Sequence, residues 1–195
     1  SIEDRGQKRL DVMNEDGTDV RVLTEALDLR GAPAWAPDGR SLVIAALRGG
    51  APQLFSVPIK GEAPALLVSE YSSDPVWSPD GRFLVSSGPD VGTTFQLRAA
   101  AADGRAYRMP SLILTRGARR VGFLREPRAL VILRGEIEHK DFWLVDLETG
   151  AERQLTSLAQ GFDISDFDVS ADGHEIVFDR VQENSDVVLI DLARR

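Results

Sequence analysis

The chain has no cysteine and only two histidines. The first absence removes disulfides, thiolate metal sites and cysteine nucleophiles, and it suits a periplasmic or a cytosolic setting equally. No apolar run approaches the roughly 18 residues that a membrane-spanning helix needs, so membrane insertion is not expected. The opening SIEDRGQKRL has no apolar signal-peptide core. Bases are in the minority: 23 Lys and Arg stand against 31 Asp and Glu, a net charge of -8. That balance repels phosphate backbones and anionic lipid, so nucleic acid is not an expected partner. Neither a G-x-S-x-G elbow nor a G-x-x-x-x-G-K-[ST] phosphate loop occurs. No enzymatic activity, cofactor or metal is therefore expected.

What is present is ordinary in composition and unusual in arrangement. Hydrophobic residues at 43% and charged residues at 28% are those of a folded soluble chain, and 195 residues suffice for one domain. Within it a period is visible. AWAPDGRSLVI begins at Ala34, VWSPDGRFLVS at Val76 and DVSADGHEIVF at Asp168, and the three align without gaps. A weaker copy, GFLREPRALVI from Gly122, has Glu126-Pro127 where the others have Asp-Gly. The anchors Trp35, Trp77, Phe123 and Val169 are 42, 46 and 46 residues apart. An independent series, Gly17, Gly61, Gly104 and Gly150, is spaced 44, 43 and 46.

Each copy reads as strand chemistry. In Ser78-Pro79-Asp80-Gly81 the serine takes the first turn position, proline presets φ at the second, and aspartate and glycine suit the third and fourth, which predicts a type I turn. Pro37, Asp38 and Gly39 repeat this after Trp35, and Asp172 and Gly173 repeat it in the last copy. Short apolar runs follow, 42–47, 83–87, 130–133 and 176–178, as expected of inner strands covered on both faces. Further runs at 53–57, 95–100, 142–147 and 187–192 lead to the second glycine turn. A more polar strand is then expected at 20–24, 65–68, 105–109 and 153–156. The unit is four antiparallel strands in about 44 residues, the pattern of a β-propeller blade. Blades stack because a sheet apolar on both faces cannot bury them alone. The anchor aromatics Trp35, Trp77 and Phe123 are expected between blades.

At these residues a family resemblance becomes specific. The W-[AS]-P-D-G-R-x-L-V copies at Trp35 and Trp77, with LDVMNEDGTDVRVLT from Leu10, resemble the WD-like repeats of TolB-type propellers. The same blade type is similar to those beside prolyl-oligopeptidase-like and tricorn-like proteases. The resemblance implies an all-β propeller of about four blade-equivalents, a single unit over 1–195. Counted by phase, two strands, then twelve, then three make seventeen, one more than four blades require. TolB-like propellers resemble six-blade rings, so the chain is expected to be part of a larger ring. Its start at Ser1, without Met, is expected of a processed or cut chain.

Few residues look reactive. His174 follows the Asp172-Gly173 turn, where other copies have arginine, and reads as solvent-facing filler. His139 stands in a mixed-charge loop with Glu136, Glu138, Lys140 and Asp141, where metal or proton-transfer chemistry is conceivable beside the plain reading of a solvated loop. Asp163, Asp166, Asp168 and Asp172 miss the EF-hand spacing, with Ala171 and Val177 at its required glycine and glutamate. The loops opposite the turns vary in length, as a binding face on a fixed scaffold does. Arg48, Tyr71, Arg116, Arg119, Arg120, His139, Lys140, Asp141 and Arg180 are the partner-binding candidates, with Arg116, Arg119 and Arg120 suited to gripping carboxylates. Three functions remain open. The first is a non-enzymatic module binding a protein or peptide, which the TolB resemblance implies is in a bacterial periplasm or envelope. The others are an accessory or gating propeller of a serine hydrolase, and a sensory propeller fused to a kinase or transcription regulator. Open blade ends would also permit self-association.

Overall fold

The computed structural model describes residues 2–4, 7–115, 121–126, 128–136, 139–158, 161–170 and 172–181. These form five successive antiparallel sheets in chain order. The first holds β1 (Ile2–Asp4), β2 (Gln7–Val12) and β3 (Arg21–Thr24). The second holds β4 (Leu29–Trp35), β5 (Ser41–Arg48), β6 (Ala51–Pro58) and β7 (Ala65–Val68). The third holds β8 (Ser73–Trp77), β9 (Phe83–Val91), β10 (Thr94–Ala101) and β11 (Ile113–Thr115). The fourth holds β12 (Gly122–Phe123), β13 (Ala129–Glu136), β14 (His139–Asp146) and β15 (Glu152–Gln154), and the fifth β16 (Phe167–Val169) and β17 (Ile176–Phe178). The molecule is a partial β-propeller of four-stranded blades.

Alternation of side chains along a strand explains why the second strand of each blade reads as a continuous apolar run. Leu42, Ile44 and Ala46 of β5 face the first sheet and join Leu10 and Leu23 there. Val43 and Ala45 of the same strand face the third sheet and meet Leu84 and Ala100. Leu130 and Ile132 pack on Phe83, Val85, Phe95 and Leu97, whereas Val131 and Leu133 pack with Phe162, Ile164 and Phe167. Each of the four cores is thus the seam between two neighbouring blades.

The turns form as their chemistry requires. Gly81 N donates to Ser78 O at 2.9 Å, as Gly39 N does to Ala36 O and Gly173 N to Ser170 O at 2.8 Å. Ser78 Oγ donates to Asp80 Oδ1 at 2.7 Å and also meets the Phe83 carbonyl at 2.7 Å, which locks the turn onto the following strand. The same aspartate accepts from Arg82 N, as Asp38 does from Arg40 N and Asp172 from His174 N. Turn glycines also admit the neighbouring blade: a Cβ on Gly173 would lie 2.6 Å from Arg125 N, and one on Gly104 would lie 2.0 Å from Leu67 O.

The runs at 42–47, 83–87 and 130–133 form β5, β9 and β13, each with a neighbouring strand on both sides as expected of inner strands, and β4, β8, β12 and β16 line the axis. Three expectations change. A short β1 precedes β2, pairing from Ile2–Arg9 to Asp4–Gln7. The outer strand of the third blade is β11, not 105–109, because 108–111 leaves the sheet edge. Trp35, expected between blades, is 51% exposed. Trp77 at the same repeat position is covered by Val43, Ala45 and Leu54 of the preceding blade. Among the described residues β1 is too short to present such a segment to Trp35. Phe123 is buried as expected. The strand expected at 187–192 lies outside the described residues.

Candidate functional site

Antiparallel order puts both glycine turns of every blade on one rim and the β5–β6, β9–β10 and β13–β14 hairpins, with the blade-to-blade connections, on the other. Arg48 stands exposed at the β5–β6 hairpin, opposite Ala51. Tyr71 is partly buried, and its carbonyl accepts from Arg98 Nη1 at 3.2 Å. His139 begins β14 with Nε2 4.0 Å from Asp141 Oδ2. Arg180 lies exposed, its guanidinium carbon 4.1 Å above the centre of the Phe162 ring, a cation–π contact. Arg116, Arg119 and Arg120 lie outside the described residues.

Two candidates are corrected. Lys140 is buried, and its Nζ donates to Asp163 Oδ1 at 2.6 Å and to Ile164 O at 3.0 Å. Asp141 is buried too and accepts from Thr156 Oγ1 at 2.8 Å, Leu158 N at 2.8 Å and Gln154 Nε2 at 3.1 Å. Alternation sends the two side chains to opposite faces of β14, and both are buried there, where a charge persists only with partners. They tie β14 to the segment leading into the fifth blade rather than presenting charge to a partner.

The acidic run resolves into separate local roles. Asp163 pairs with Lys140, and Asp172 holds its turn. Among the described residues no group of three or more His, Cys, Asp or Glu converges as metal ligands would. Asp179 accepts from Ser165 N and Asp166 N, both at 2.9 Å, and from Ser165 Oγ. Hydrogen bonds from the Ser165 hydroxyl, then from the Asp166 backbone, hold its carboxyl below the ordinary 3.8. A folded value below the unfolded one means that this tether is complete above about pH 3.8 and is lost as pH falls through the lowered value. A 13C NMR titration of the Asp179 carboxyl is expected to show a midpoint below 3.8, returning towards it in Ser165→Ala.

One concavity was not legible from the loops. A channel of about 910 Å³ runs between the first strands of four blades, from Asp74 and Ser165 at the connection end to Pro37, Pro79 and Gly173 at the turn end. Trp35 and Trp77 line it, with Asp166, Asp168 and Arg125. Asp74 adopts a left-handed φ of 49°. Aspartate is among the few side chains that tolerate this region. Gly31 of the neighbouring blade, itself at φ 66°, leaves room: a Cβ there would lie 3.1 Å from Asp74 Oδ1. The signal in the sequence was the anchor tryptophan itself, read there as filler.

This architecture is shared with known propellers. No protein-family model and no curated protein matches the chain. Among solved structures it is similar to TolB from Acinetobacter baumannii, at 20% identity and a TM-score of 0.59, over 83% of this chain and 40% of that one. A candidate TolB from Agrobacterium tumefaciens aligns at 20% identity and a TM-score of 0.66, over 87% of this chain and 60% of that one. Puromycin hydrolase aligns at 20% identity and a TM-score of 0.58, over 86% of this chain and 28% of that one. The likeness establishes the TolB-like propeller fold, and the chain spans less than two thirds of each of these structures.

Proposed function

We propose that this chain is a non-enzymatic binding module whose propeller channel receives a segment of a protein or peptide. The carrying observation is the channel itself, about 910 Å³ between the first strands of four blades, with the aromatic rings of Trp35 and Trp77 and the Arg125 guanidinium on its wall. Large exposed aromatics in concave sites are the residue type that anchors partners, since they bury much area with few rotors. The left-handed Asp74, on the wall of the same channel, supports the same place, because strained backbone is retained where the surroundings fix it and often serves a site. A bacterial envelope location rests on the TolB resemblance alone.

The test is photo-crosslinking from p-benzoylphenylalanine placed at position 35, with a second label at Val177, which is 67% exposed on β17. A discrete polypeptide adduct from position 35 that is absent from position 177 is the expected result. No adduct, or the same products from both positions, overturns the reading.

A second reading is the accessory propeller of a serine hydrolase, with the channel filtering what reaches a catalytic domain. The likeness to puromycin hydrolase favours it. A G-x-S-x-G segment in the same reading frame beyond Arg195 would establish it, and a kinase or regulator there would instead favour the sensory role.

A further inference from the structure

The outer edge of the third blade breaks the repeat, and the break builds a second concavity on the turn rim. In the second blade, β7 pairs with β6 soon after the Gly61 turn. In the third, Tyr107 N donates to Ala99 O at 3.0 Å, and edge pairing resumes only where Leu97 N donates to Leu112 O at 2.9 Å. Residues 108–111, Arg-Met-Pro-Ser, span the interval off the edge. Pro110 brings no N–H to a ladder, and it leans on the next blade, its Cβ 3.3 Å from where a Cβ on Gly150 would be. Met109 turns inward against the seam between the third and fourth blades.

Between this excursion and the fourth blade lies a groove of about 640 Å³. Its floor is aromatic: the Tyr107 ring stacks on Phe83 at 4.3 Å and 7°, and Phe83 is buried while Tyr107 stays 40% exposed. One ring face is thus held rigid with area left over for a guest. Its walls carry Arg108 and, across the groove, Arg128 paired with Glu148. Arg108 is exposed and has no ion-pair partner among the described residues. On a chain of net charge -8, the slot holds two arginines against the one carboxylate of Glu148, a net charge of the minority sign that Arg108 supplies.

We propose that this groove binds an acidic peptide segment carrying an aromatic side chain, the ring stacking on Tyr107 and a flanking carboxylate meeting Arg108, with a second sharing Arg128 with Glu148. Offset stacking on a fixed tyrosine and bidentate guanidinium–carboxylate bonds are the two interactions those walls supply. A basic peptide would meet the arginines as like charge, so the site discriminates by sign. The groove is walled by the third and fourth blades on the turn rim, and the inference stands apart from the channel reading.

The two methionines make the test direct, since Met109 lines the groove and Met13 is in the first-blade region, 62% exposed. The full chain is labelled with 13C-methyl methionine and titrated with acetyl-Asp-Trp-Asp-amide. The expected result is a saturable shift of the Met109 methyl with Met13 unmoved. Acetyl-Lys-Trp-Lys-amide leaves both unmoved, and Arg108→Ala weakens the acidic peptide about tenfold. Arg108 is solvent-facing, so this variant keeps the fold, and its unshifted Met13 signal verifies that. A Met109 signal that stays fixed, one that moves together with Met13, or equal shifts with the basic peptide overturns the proposal.

Discussion

Replacing Gly104 with alanine is expected to lower the unfolding free energy by about 3 kcal/mol, while Gly61→Ala lowers it by about 1 kcal/mol. Both glycines occupy the same turn in successive blades, at φ 84° and 88°, so the backbone strain of an added Cβ is common to the two. They differ in what lies beyond. Around Gly61 nothing stands within 4 Å of the added atom, whereas at Gly104 it falls 2.0 Å from the Leu67 carbonyl oxygen of the preceding blade. A backbone oxygen cannot rotate away as a side chain can, so the blades must part or the turn must shift. Urea unfolding of the two variants measures the difference, and equal losses would mean that the Gly104 turn is not seated on the second blade.

Phe142→Ala is expected to cost about 3–5 kcal/mol. The ring is 1% exposed and meets Phe167 at 5.1 Å and Phe178 at 5.3 Å, both edge-on. It belongs to β14, while both partners belong to the fifth sheet, so truncation opens the seam between blades and leaves a cavity there. The volume-keeping Phe142→Leu is expected to cost about 1.5 kcal/mol or less. Thermal unfolding followed by circular dichroism checks both, and a loss under about 1 kcal/mol for the alanine variant would contradict the buried seam.

The blade plan was legible because it is written in short-range chemistry repeated four times. The Ser-Pro-Asp-Gly turn closes by its own side chain, and the apolar runs show two-faced burial directly. The resemblance drawn from Trp35 and Trp77 led to the TolB-like fold that the solved structures share. Sequence reasoning went astray where a residue's environment comes from a different blade. Trp35 and Trp77 have the same local sequence, yet only Trp77 is covered, because the covering strand comes from about thirty residues earlier. Lys140 and Asp141 looked like surface charge in a loop, but β14 begins at His139 and both of its faces are covered at this point, so each is buried on its own side. The outer strand expected at 105–109 shares a polar pattern with its counterparts, and Pro110, five residues after its start, was the available sign that the edge would break there.

The uncovered indole also gives the molecule its own optical gauge. Of the three tryptophans, Trp77 and Trp143 are partly sheltered against apolar seams, while Trp35 meets water. Red-edge excitation therefore selects Trp35, and its emission moves towards the blue when the axial passage fills, so occupancy registers without any label being attached.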